Sequence, residues 1–120
     1  MYTAELINKR DVYFEADDVV LKFILRDEDG AMVTSFTGMS IEVEITDYAS
    51  GSTLQNETAG GAATEITTNA NNEIVVYVPD TDTDGFFPGY FVVEMQITIG
   101  EKVYTVFHDK IRFKYETLDW

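Results

Sequence analysis

The chain of 120 residues contains no cysteine, only two prolines and few basic side chains. Without cysteine it has neither a disulfide bridge nor a thiolate metal site. None of its apolar runs approaches the roughly 20 residues that a membrane-spanning helix needs. Eight Lys and Arg stand against 22 Asp and Glu, which gives a net charge of −14. This charge repels phosphate backbones and anionic lipids, so we expect neither nucleic acid nor membranes as partners.

Apolar residues that alternate with polar ones are abundant. Ile41, Val43 and Ile45, for example, alternate with two glutamates and a threonine. Because successive side chains of a strand point to opposite faces, such segments bury one face and expose the other. Several such segments, separated by Gly, Asn and Asp turns, predict an all-β fold with two antiparallel sheets. Residues 1–120 are predicted to form one β-sandwich domain.

Turn signals such as Asp27–Gly30 and His108–Asp109 divide the chain into strands. The predicted strands are Val12–Phe14, Val19–Arg26, Ile41–Thr46, Thr53–Asn56, Ile74–Val78, Tyr90–Ile99, Lys102–Phe107 and Lys110–Tyr115. The predicted core residues are Leu21, Phe23, Leu25, Ile41, Val43, Ile45, Val76, Phe91, Val93 and Ile111.

The order of the motifs carries more information than any one motif. An acidic turn at Asp27–Gly30 is followed by Thr37–Gly38, then by Asn72–Pro79 and by Pro88–Ile97, which begins Pro-Gly-Tyr-Phe. In this order the motifs resemble the small immunoglobulin-like domains of tailed-phage virion proteins. The similarity is to the N-terminal domain of baseplate upper proteins and to small prophage tail or head-decorating proteins. The resemblance implies an immunoglobulin-like antiparallel β-sandwich of about seven to nine strands.

The resemblance also implies a function as a structural and interaction protein, with no catalytic residues and no cofactor. We expect an acidic, oligomeric accessory subunit that decorates the bacteriophage capsid or belongs to the tail or baseplate. Its expected partners are other virion proteins and copies of itself. Its expected location is the virion, after assembly in the host cytoplasm. The alternative is a secreted or surface β-sandwich that binds carbohydrate or protein, in one version with calcium.

A candidate calcium loop lies at Asp80, Asp82 and Asp84, where three alternate carboxylates precede Gly85. Calcium binds oxygen ligands, and such spacing begins a calcium-binding loop. The twelfth position is Phe91 instead of the glutamate that would supply two further oxygens. An acidic turn exposed to water is the competing interpretation. We therefore predict weak calcium binding or none.

The basic residues Lys110, Arg112 and Lys114 form a stripe along one side of a predicted strand. The stripe either pairs with acids of the neighbouring strand, such as Glu94, or binds an acidic face of a partner or of a second copy.

Aromatic residues near predicted surfaces and termini are the other interface candidates. They include Tyr2 with the segment around it up to Ile7, and also Phe86, Phe87, Tyr48, Tyr104 and Trp120. Alternatively, the side chains of Phe86 and Phe87 cover one end of the sandwich core. A catalytic serine is not expected, since no serine stands in a Gly-x-Ser-x-Gly motif and His108 is the single histidine.

Overall fold

The computed structural model describes residues 1–14, 18–48, 53–58, 66–78 and 89–114. In these ranges the chain forms nine strands, and no helix that is long and apolar enough to cross a membrane is found there. The strands are β1 (Thr3–Leu6), β2 (Tyr13–Phe14), β3 (Val19–Arg26), β4 (Met39–Asp47), β5 (Thr53–Thr58), β6 (Ile66–Thr68), β7 (Ile74–Val78), β8 (Gly89–Ile99) and β9 (Lys102–Lys114).

The nine strands form two sheets. One has four strands in the order β1-β3-β7-β6, and the other has five in the order β2-β9-β8-β4-β5. Every pairing is antiparallel except that of β2 with β9, which is parallel. Because β1 and β2 belong to different sheets, the start of the chain joins both halves of the sandwich. The all-β, two-sheet prediction is confirmed.

The core lies between the inner faces of the two sheets. All ten predicted core residues are buried there, as the alternation in β3, β4 and β8 requires. Aromatic rings join the sheets, with Phe23 of β3 packing edge-on against Phe107 of β9 at a centroid distance of 5.0 Å. Within the five-stranded sheet, Phe91 of β8 and Phe113 of β9 also pack edge-on, with the ring centroids 5.1 Å apart. The inner face is therefore a continuous apolar layer.

The predicted turn at His108–Asp109 is wrong, because β9 runs unbroken through both residues. Its pairing with β8 shifts by one residue, so that Val106 is an extra residue of β9. Both Val106 and Phe107 pack on the core. A bulge of this kind changes which residues face inward without ending the strand.

Two short strands were not predicted. β1 pairs with β3 of its own chain, so that Thr3 lies opposite Arg26. Ala4 and Leu6 are partly buried against the core, while Thr3 and Glu5 belong to the opposite face. β6 adds three residues beside β7. Segments of three or four residues give too little alternation to stand out in a sequence.

The acidic turn after β3 is organised by a side chain. Asp27 Oδ1 accepts hydrogen bonds from the backbone N–H groups of Asp29 at 2.9 Å and Ala31 at 3.0 Å. Gly30 follows with φ of 83°, a conformation that glycine adopts with little strain. Asp27 therefore acts as a turn residue, as its sequence context predicts.

Candidate interaction surface

The outer face of the five-stranded sheet brings aromatic and basic residues from three strands to one corner. Tyr90 of β8 lies opposite Arg112 of β9, and Lys110 lies two residue pairs further along β9. Tyr48 directly follows β4, and its N–H donates to the carbonyl of Tyr90 at 2.9 Å. We call Tyr48, Tyr90, Lys110 and Arg112 the basic–aromatic corner.

The cations of this corner lie against the tyrosine rings. Lys110 Nζ is 4.0 Å from the ring centroid of Tyr48 and 6.0 Å from that of Tyr90. Arg112 Cζ is 5.9 Å from the centroid of Tyr90. These distances fall within the range of cation–π attraction. Tyr48 is nevertheless 61% exposed and Tyr90 50% exposed, so a partner can reach the rings and the charges together.

Pairing of the basic stripe with Glu94 is not what the structure shows. Glu94 lies opposite His108, with Oε2 3.9 Å from His108 Nε2. Within the described ranges, Lys110 and Arg112 form no ion pair with an acidic side chain. Lys114 continues the stripe at the end of β9, where it lies beside Phe14 of β2. Docking of the stripe onto a partner or a second copy stays a prediction.

Acidic residues occupy the centre of the same outer face. Glu94 of β8 lies directly opposite Glu44 of β4, and Glu42 lies opposite Gln96 two residue pairs further along. Gln96 Nε2 donates to Glu94 Oε1 at 3.4 Å. Like charges opposite each other on a sheet repel, so the pairing of Glu44 with Glu94 does not by itself stabilise the sheet. We call Glu42, Glu44 and Glu94 the acidic centre.

Asp109 precedes Lys110 in β9, where β9 pairs with β8 but not with β2. Its Oδ1 accepts a hydrogen bond from the backbone N–H of Lys110 at 2.8 Å, and its Oδ2 lies 3.2 Å from Lys9 Nζ. The backbone hydrogen bond, followed by the interactions with Lys9, lowers the pKa of the Asp109 carboxyl below its ordinary value.

Tyr2 lies near the opposite end of the long β8–β9 hairpin. Its ring packs on Tyr104 with the centroids 5.2 Å apart. Beside it is an open cleft of about 360 Å³. Its walls include Met32, Val33, Ser35, Thr37, Met39 and Ile99. The structure therefore separates Tyr2 from the basic stripe, and its role between chains stays a prediction.

Other predicted site residues lie outside the described residues. They are Asp80, Asp82 and Asp84 of the calcium loop and the aromatic residues Phe86, Phe87 and Trp120. In the part of the chain that the structure describes, no three His, Asp or Glu side chains converge to hold a metal ion. The calcium loop and these aromatic anchors remain predictions.

Sequence reasoning missed Tyr90 and the acidic centre as candidates. Tyr90 precedes Phe91 in β8, so the alternation alone indicates that it points outward. Its position beside Arg112 depends on the pairing of β8 with β9, which the sequence does not specify. The same holds for Glu44 and Glu94, which are 50 residues apart and meet only in the folded sheet.

Comparison with solved structures agrees with the two-sheet architecture. The chain superposes on the filamin domain of Lin-41 with a TM-score of 0.57 and 12% identity, over 94% of this chain and 93% of that one. The fold is immunoglobulin-like. A second match is to the structure of Dpr2 Ig1-Ig2 in complex with DIP-Theta Ig1-Ig3, at 9% identity and a TM-score of 0.44. The alignment covers 94% of this chain and 34% of the matched chain.

At these identities the likeness establishes the fold alone. No protein-family model matches the chain, and no curated protein matches its sequence.

Proposed function

We propose that this chain is a non-enzymatic structural and interaction domain, which binds other proteins through the outer face of its five-stranded sheet. The basic–aromatic corner is the observation that carries the proposal. Tyrosine and arginine dominate binding hot spots, because they offer a large apolar area together with a polar group. Tyr48 and Tyr90 already hold Lys110 and Arg112 in place, so less side-chain freedom is lost when a partner binds.

The setting of His108 supports a role without catalysis. The His108 side chain is 63% exposed, and its neighbour Glu94 is 40% exposed on the same open face. Efficient acid–base and electrostatic catalysis uses groups held in a site from which water is excluded. A histidine and a glutamate on the flat side of a sheet have no such enclosure.

The proposed setting is a tailed-phage particle, where the domain is a repeated accessory subunit of the capsid, tail or baseplate. The motif order from Asp27–Gly30 to Pro88–Ile97 supports this setting by its resemblance to such virion domains. The net charge of −14 also suits a subunit that lies on the outside of the particle, away from packaged DNA. An immunoglobulin-like sandwich needs no cofactor to present such a surface.

The test is to purify particles from cells that produce the chain and to measure its copy number by quantitative mass spectrometry. We expect a fixed ratio to the major capsid protein that survives nuclease treatment and gradient purification. Particles without the chain, from cells whose lysate contains it, would contradict the virion role. Recovery from the cell surface or the medium without particles would favour the secreted alternative, which binds carbohydrate or protein.

A further inference from the structure

The charge changes sign from one part of the outer face of the five-stranded sheet to the next. Lys110 lies two residue pairs along the strands from Glu94 and Glu44. Strand spacing places their backbones about 8–12 Å apart, too far for direct contact and close enough to share one interface. The basic–aromatic corner and the acidic centre are thus adjacent, exposed and opposite in charge.

We infer that two copies of this chain associate face to face through the outer sides of their five-stranded sheets. A two-fold axis that passes between the corner and the centre places the corner of each copy on the acidic centre of the other. An interface with this symmetry uses the same patch twice, so it requires a patch that is complementary to itself. Adjacent regions of opposite charge meet that requirement.

The two rings give this association an apolar contact as well. Tyr48 and Tyr90 are half or more exposed, and Val103, further along the outer side of β9, is 59% exposed. Aromatic rings at the centre of an interface contribute most of its binding energy, while charges select the partner and fix the orientation. The corner therefore contributes both the affinity of the association and the relative orientation of the two copies.

The size of the face predicts a weak dimer. Three strands and five rows of outward side chains cover about 500 Å² per copy, compared with about 800 Å² in a standard interface. We therefore expect association at roughly 0.1–1 mM, a range that matters where many copies are held close together. The mutual repulsion of two chains of net charge −14 is largely screened beyond about 8 Å at physiological salt.

The test exchanges the charges of the two regions. One variant carries Lys110→Glu and Arg112→Glu, and the other carries Glu44→Lys and Glu94→Lys. Each is measured by sedimentation velocity at 0.15 M salt over a concentration series up to about 1 mM. The wild type should rise from 13.6 kDa towards twice that mass. Each variant alone should associate at least ten-fold more weakly, since its face then carries charge of one sign.

An equimolar mixture of the two variants should form a heterodimer, because both contacts between them are attractive. The matched control is Glu28→Lys with Glu101→Lys, which changes the net charge as Glu44→Lys with Glu94→Lys does, but in exposed turns. The control should associate as the wild type does. Circular dichroism and thermal melting establish that every variant is folded.

Three results would overturn the inference. They are a wild type that stays monomeric at 1 mM, a control that loses association as fully as the face variants, and a mixture that fails to recombine. The wild type could stay monomeric while the Lys110→Glu, Arg112→Glu variant loses binding to particles. That result would show that the corner binds a different protein and not a second copy. The inference deepens the proposed interaction role. Copies that associate but are absent from particles would contradict the virion setting alone.

Discussion

Tyr90 and Phe91 are neighbours in β8, yet Phe91 is 1% exposed against the core and Tyr90 is 50% exposed beside Arg112. On the inner face, each apolar residue meets other apolar residues, and the contribution of each follows from its burial. On the outer face, what a residue does depends on which residue the adjacent strand places beside it. The same strands thus carry a uniform core on one side and a patterned surface on the other.

The largest expected effect is loss of stability on the inner side. Phe91→Ala removes a fully buried ring that packs on Phe113, so it should lower the free energy of unfolding by about 3–5 kcal/mol. Tyr90→Ala is the matched control on the outer side and should cost less than about 1 kcal/mol. Chemical denaturation measures both. Similar losses at the two positions would refute the contrast between the faces.

Removal of β1 should have the next largest effect. Deleting Met1–Leu6 takes away the strand that pairs with β3, together with the packing of Tyr2 on Tyr104 and of Leu6 on the core. We expect a loss of about 2–4 kcal/mol, which thermal melting would reveal against a control that lacks Met1 alone. A shortened chain that melts at the temperature of the full chain would mean that β1 is dispensable for folding.

The cation–π contacts of the corner should add little stability. Lys110→Met keeps most of the side-chain length but removes the charge over Tyr48, and exposed contacts of this kind contribute about 0.5–1 kcal/mol. Lys102→Met, at the other end of β9, is the control and should be neutral. If both substitutions are neutral in chemical denaturation, the ring contact does not stabilise the folded chain.

The smallest effect concerns Asp109 and pH. Because folding lowers the pKa of this carboxyl, its stabilising effect is present above the ordinary value of 3.8 and is lost as the pH falls through the folded value. Asp109→Asn should therefore cost a few tenths of a kcal/mol at pH 7, and the difference from the wild type should shrink below about pH 4. Denaturation midpoints at both pH values measure it. If the difference in stability between the wild type and Asp109→Asn grew as the pH fell, the pKa of Asp109 would not be lowered by folding.

The inner face was predictable because burial of one side of a strand produces alternating apolar and polar residues in the sequence. Alternation identified β3, β7 and β8 almost to the residue and all ten predicted core positions. It failed at β9, where the extra residue Val106 changes the phase, since a bulge and a turn disturb alternation in the same way.

The outer face was predictable only in part. The stripe of Lys110, Arg112 and Lys114 is visible along one strand, and so is the outward position of Tyr90. Their neighbours are set by strand order and register, which join Tyr48 to Tyr90 and Glu44 to Glu94 across long stretches of chain. A sequence without structural pairing information does not specify these contacts.

The contrast between the faces leads to one main conclusion, that the outer face of the five-stranded sheet binds a second copy of this chain. Amide chemical shifts of the labelled protein, followed by NMR over a dilution series from about 1 mM, test it most directly. We expect concentration-dependent shifts confined to the neighbourhood of Tyr48, Tyr90, Glu94 and Lys110, with Val20 and Tyr77 on the other sheet unchanged. Shifts centred on Val20 and Tyr77, or no shifts at all, would contradict it.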